Sequence, residues 1–218
     1  GAHVLAGALA RSVKRAKLAV LGRALPLLNN PLMVAEEYAM LDNLTRGRFI
    51  AGFVRGIGAE YHAMGVNPAE SHARFHEAHD MIVRAWTEPG PFEYVGKHYH
   101  FRYVNPWPRP YQTPHPPILL GGESDYTLKR VVDYCDGWYP RPWAGFDPAE
   151  AMARLKRFAD EAGRDMSTLS ITTFRTKPDA QVLAEFADAG IFRALLEVPD
   201  APRDEILRLL DDYAKLMN

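Results

Sequence analysis

Two short segments of this 218-residue chain combine residue types and spacing that suit anion chemistry. Gly121-Gly122-Glu123-Ser124, with Thr127 close behind, follows the apolar run Ile118-Leu119-Leu120 and opens a helical pattern. Amides in the first turn of a helix point toward a bound anion, and Ser124 and Thr127 add hydroxyl donors. Arg55 closes a second apolar run, Arg48 to Val54, and a guanidinium at such a strand end suits a phosphate. Each segment also has a purely structural reading, with Ser124 as a helix cap and Arg55 in a surface pair with Glu60. Both readings stand on local sequence alone.

Other groupings point elsewhere. His72, His76 and His79 fall at i, i+4 and i+7 and so share a helix face, yet their spacing misses the zinc-protease pattern and no acidic cluster joins them. They are read as a solvated or pocket-lining face, and no metal site is expected. Asp42 and Arg48 precede a strand, the side of a parallel barrel that carries stability rather than catalysis, so they are read as structural. Trp107, Tyr111, Trp138, Tyr139 and Trp143 suit stacking on a flat ring or walling a pocket, and core packing accounts for any one of them equally well. Cys135 is followed by Asp136, whose charge disfavours a thiolate.

Alternating elements must position these groups. A helix is expected over Ala2 to Val13, a strand over Leu18 to Gly22, and a helix from Pro31 through Val34, Tyr38 and Leu41 that stops at Gly47. A strand over 48–54 and a helix through Phe75, His79, Ile82 and Trp86 follow, and the Pro- and Tyr-rich stretch Pro89 to Pro117 reads as irregular. Strands at 118–120, 137–139, 169–176 and 191–198 then alternate with helices at 126–134, 148–162, 180–189 and 203–217. Such alternation argues for a parallel sheet covered by helices, open or closed into a barrel. No Gly-x-Gly-x-x-Gly turn follows a strand, which removes the main support for a dinucleotide-binding sheet.

Composition sets outer bounds. With 47% hydrophobic residues the chain can bury a core, and 26 basic against 27 acidic residues leave no field for nucleic acid or an anionic membrane. No apolar run is long enough to span a bilayer, and the single cysteine fits a reducing compartment, so a cytoplasmic protein is expected.

The chain resembles the bacterial-luciferase-like flavin monooxygenases. Leu25-Pro26-Leu27-Leu28-Asn29-Asn30-Pro31, Ala35-Glu36-Glu37 and Leu41-Asp42-Asn43-Leu44-Thr45-Arg46-Gly47-Arg48 carry the likeness, which continues through Gly52, Arg55-Gly56, Gly65, Glu77, Trp86, Gly96 and Pro106-Trp107-Pro108. Pro116-Pro117-Ile118, Gly121-Gly122-Glu123-Ser124 and Asp136-Gly137-Trp138 complete it. The resemblance implies a (β/α)8 TIM-barrel-like α/β fold. It also implies that Arg55, Ser124 and Thr127, with the Glu123 backbone and the Gly121-Gly122 turn, bind the cofactor phosphate.

A complete barrel takes about 250 residues. Here residues 56–116 form one long insertion-like connection, so six of eight strands are expected, in a single domain over 1–218 that lacks the first two strands of the family pattern. The family's histidine beside the flavin ring has no counterpart, and no catalytic residue is assigned. The implied activity is a flavin-dependent monooxygenase that uses reduced FMN, supplied by a flavin reductase, and oxygen on a small organic substrate. Alternatives are hydride transfer with the deazaflavin coenzyme F-420, with Lys129, Arg130 and Arg141 near its anionic tail, and a non-catalytic flavin-binding or partner protein. A homodimer is a further expectation.

Overall fold

Local backbone signals fix where the first long helix starts and stops. Pro31 precedes helix α2 (Leu32–Thr45), and Arg46 leaves it in the left-handed region at φ 53°, so the chain turns within three residues into strand β2 (Phe49–Val54). The computed structural model of the protein describes residues 1–217, and two compact units divide after Gly121.

The first unit begins with α1 (Ala2–Ala10) and β1 (Leu18–Ala24) ahead of α2 and β2. It continues through α3 (Gly58–Met64), α4 (Ser71–Thr87), the antiparallel pair β3 (Phe92–Val95) and β4 (His100–Val104), and β5 (Ile118–Gly121). β2 pairs in parallel with β1 on one side and β5 on the other. The two strands β1 and β2 approach closely because residue 52 is glycine: a Cβ there would stand 2.6 Å from Leu21 Cα.

Tyr38 of α2 lies against Phe53 of β2 in a parallel stack with centroids 5.8 Å apart and meets Phe49 edge-on at 4.9 Å. Phe75, Met81 and Ile82 of α4 are fully buried in the same core. Each such side chain contributes about 1.5–3 kcal/mol by leaving water. Trp86 Nε1 donates to the carbonyl of Ala35 at 2.9 Å and so joins α4 to α2.

The stretch expected to be irregular contains the β3–β4 hairpin. Its turn lacks the Asn-Gly or Asp-Gly signal that marks a hairpin in sequence. The Glu77 carboxylate of α4 holds it instead, accepting from the amides of Lys97, His98 and Tyr99. Helix α3 was also absent from the sequence expectation. It starts where Ile57 N donates to Glu60 Oε2 and is too short for a periodic pattern.

The second unit holds α5 (Asp125–Tyr134), β6 (Gly137–Tyr139), α6 (Pro148–Ala162), β7 (Ser170–Thr176), α7 (Ala180–Asp188), β8 (Arg193–Leu196) and α8 (Arg203–Lys215). β7 pairs in parallel with both β6 and β8. Leu128, Val131, Trp138, Leu155, Ala159 and Phe186 form its core. Asp147 and Asp179 cap α6 and α7 through their carboxylates.

The fold is α/β, with six parallel strands among the described residues where a closed (β/α)8 barrel has eight.

Candidate functional site

The chain leaves β5 through Gly122, whose φ of +120° is open to glycine and strained for other residues. A Cβ there would also stand 2.9 Å from Thr127 Oγ1. Ser124 then caps α5: its Oγ accepts from Thr127 N at 3.3 Å and lies 3.1 Å from Thr127 Oγ1. The structural reading of Ser124 is therefore realised, and it does not compete with the functional one, because the cap places two hydroxyls beside the positive end of α5.

Two longer contacts brace this turn. Trp138 Nε1 donates to the carbonyl of Gly122 at 2.7 Å, and Glu123 Oε1 accepts from the backbone amide of Arg141 at 3.0 Å. The loop so tethered carries the Arg141 guanidinium 3.7 Å from the centroid of the Trp143 ring. The aromatic set thus splits. Trp138 and Tyr139 belong to the core, while Trp107, Tyr111 and Trp143 are exposed.

Arg55 follows β2 in the first unit and is exposed. Its carbonyl accepts from the buried Tyr61 hydroxyl at 2.5 Å, and its Nη1 stands 3.0 Å from His72 Nε2. Glu60, its expected surface partner, is instead engaged by the amide of Ile57. Burial raises the Tyr61 phenol above its ordinary value, so it remains a donor at neutral pH.

The three histidines of α4 have different surroundings. His79 is buried, edge-on to Phe53 and stacked with Phe75, His76 is exposed, and His72 meets Arg55. Among the described residues, no group of three or more His, Cys, Asp or Glu side chains is placed to hold a metal ion. His3 lies with Nδ1 3.3 Å from Arg23 Nη1 and Nε2 3.8 Å from Glu37.

Asp42 and Arg48 are structural. The buried Asp42 carboxylate accepts from the backbone and side-chain amides of Gln112 at 2.8 and 2.7 Å, and Arg48 donates to the carbonyls of Val13 and Ala16. Cys135 is buried, and burial followed by the Asp136 charge pushes its thiol well above the ordinary value.

Sequence reasoning missed the Arg55–His72 contact and the Glu123–Arg141 tether. Both join residues more than fifteen positions apart, and the only sequence signal for the first was the histidine face itself.

Comparison with known proteins adds to this geometry. The model of the luciferase-like monooxygenase family matches residues 2–195. An uncharacterised protein of Mycobacterium tuberculosis is 30% identical over 210 residues, spanning 95% of this chain and 73% of that protein. The FMNH2-dependent dimethylsulfone monooxygenase of Pseudomonas putida is 34% identical over 127 residues, or 56% of this chain and 34% of that protein. Among solved structures, monooxygenase RslO1 of Streptomyces bottropensis shares the fold with a TM-score of 0.81 at 21% identity, covering 100% of this chain and 82% of that one. The coenzyme F420-dependent tetrahydromethanopterin reductase of Methanopyrus kandleri does so at 0.77 and 17%, covering 96% and 85%. With a family model matched along nearly its whole length, the chain belongs to the luciferase-like monooxygenase family.

Proposed function

We propose that the protein is a flavin-dependent monooxygenase that acts on a small organic substrate with reduced FMN and oxygen, the reduced flavin coming from a separate reductase in the cytoplasm. The observation that carries this reading is the Gly121–Thr127 turn, where a glycine no other residue can replace without strain opens a capped helix bearing two hydroxyls. That donor set fits a phosphate monoester, and Arg55 at the end of β2 adds the guanidinium that a dianion requires. The relative from Pseudomonas putida, named for its dependence on FMNH2, supports the choice of cofactor.

When bound, reduced FMN supplies the electrons for oxygen chemistry, and the protein's part is to hold and shield it. Ser124 and Thr127 would donate to phosphate oxygens and Arg55 would neutralise their charge, while the Glu123 carboxylate keeps the loop after β6 beside the turn by holding Arg141 N. The substrate pocket in such a fold is formed by loops, whose residues differ with each substrate.

Titration of the purified protein with FMN, riboflavin and coenzyme F420 tests the reading. Tight FMN binding, weaker riboflavin binding and oxygen-dependent turnover with a reductase are expected. Replacing Arg55 with Ala should weaken FMN binding by about 1.5–3 kcal/mol, the range for a hydrogen bond to a charged group. Unchanged affinity in the folded variant overturns the phosphate assignment.

A second reading, hydride transfer with coenzyme F420, is favoured by the fold shared with the Methanopyrus kandleri reductase and by the loop after β6, where the half-buried Arg141 offers a cation to a longer anionic tail. Preference for F420 over FMN in the same titration would select it. Binding without turnover would leave a flavin-binding partner protein.

A further inference from the structure

We propose that His72 is a positioning residue for Arg55, holding its guanidinium in the orientation that receives the cofactor phosphate. The inference rests on the reading of Arg55 as a phosphate ligand.

Arg55 is exposed and follows the last residue of β2, so its side chain has many rotamers to lose on binding. Two contacts restrict it. The Tyr61 hydroxyl donates to its carbonyl and fixes the backbone, and His72 Nε2 stands 3.0 Å from its Nη1 and fixes the head group. A guanidinium can only donate, so the histidine nitrogen must be the acceptor and the ring must carry its proton on Nδ1.

His72 is well placed for this task. It lies in the first turn of α4, next to the buried Ser71 and one turn before the buried Phe75, so its backbone is anchored by the core of the unit. Arg55 is braced from the loop side by α3, through Tyr61. The residue is therefore held by two elements, its backbone by α3 and its guanidinium by α4. Pre-orientation of this kind raises affinity by lowering the ordering cost of binding, with no contact from His72 to the ligand.

Fluorescence titration with oxidised FMN and with riboflavin, which lacks the phosphate, tests the proposal in the full chain. His72→Phe should weaken FMN binding about three- to tenfold, the size of one hydrogen bond, and leave riboflavin affinity unchanged. His72→Gln, whose side-chain oxygen can accept from Arg55, should restore most of the loss. In an Arg55→Ala background, His72→Phe should have no further effect.

Equal losses for FMN and riboflavin, no rescue by glutamine, or additive effects of the two substitutions would each overturn the positioning role. If Arg55→Ala itself leaves the preference for FMN over riboflavin intact, the phosphate assignment fails and the proposal falls with it. If Arg55→Ala removes that preference while His72→Phe does not, only the positioning role fails. Unchanged far-ultraviolet circular dichroism and thermal midpoint in His72→Gln keep a folding defect apart from these outcomes.

Discussion

A methyl group at residue 122 would meet Thr127 Oγ1 at 2.9 Å and would hold an L-residue at φ +120°. Gly122→Ala should therefore destabilise the protein by about 1–3 kcal/mol, the usual cost of a residue in a disfavoured backbone region, and disturb the hydroxyl pair of the turn. Flavin titration should show a larger loss for FMN than for riboflavin; equal affinities would detach the turn from phosphate binding. At Cys135 the folded-state thiol value is raised, so the folded protein keeps a proton that the unfolded chain releases above about 8.5. Stability from this group is complete below that value and is lost as pH rises above it. Urea unfolding on either side should show this alkaline loss, and Cys135→Ala should reduce it; native protein should also resist thiol-labelling reagents until it unfolds. At this scale the glycine-hydroxyl turn and the effect of Asp136 on the Cys135 thiol were legible, because both depend on near neighbours in sequence, whereas the burial that shifts the thiol most depends on packing. The partner of Arg55 was not, since His72 is seventeen positions away and α3 folds the intervening chain back.

Elements were legible where they carry their own stop signals. The strand at Gly137–Tyr139 and the helix at Pro148–Ala162 have the bounds that sequence pattern predicts, the latter because Asp147, Pro148 and Gly163 mark its ends. The hairpin was illegible because a carboxylate from α4 makes its turn. Asp147→Ala should cost about 1 kcal/mol by removing the cap that accepts from Ala149 and Glu150 amides, with flavin affinity unchanged. Asp42→Ala is a stronger test of an element junction. It leaves the backbone and side-chain amides of Gln112 without their buried carboxylate, which should destabilise by about 2–3 kcal/mol. A chemical-unfolding midpoint within error of the unaltered protein would show that α2 does not depend on this junction. Asp179 adds a pH dependence at the same scale. Hydrogen bonds, led by the Val182 amide, hold its carboxyl below the ordinary value, so its support of α7 is present above the unfolded-state value and lost as pH falls through the lower one.

For the whole molecule, sequence pattern identified the six parallel strands and the family, because buried parallel strands and the string from Leu41 to Arg48 are both local features. For the expected homodimer, one available surface is the open edge of the first strand. Within its unit β1 is indeed an edge strand, paired with β2 alone, and α1 packs beside it. The described structure presents a different apolar surface. Val4, Leu5 and Leu9 point outward from α1, and Met33, Met40 and Leu44 point outward from the neighbouring α2. Helices of this length, about 14 and 21 Å, set side by side offer several hundred square ångströms, less than the roughly 800 Å² per partner of a stable interface. Their size therefore argues for weak, concentration-dependent pairing, held by apolar contact and little affected by salt. Sedimentation velocity over a wide concentration range should show a monomer at the low end and a growing dimer at the high end. Leu5→Glu with Met40→Glu should abolish the dimer while the thermal midpoint stays the same, because both side chains are exposed in the folded chain. A dimer that survives both substitutions would return the edge of β1 as the surface that pairs.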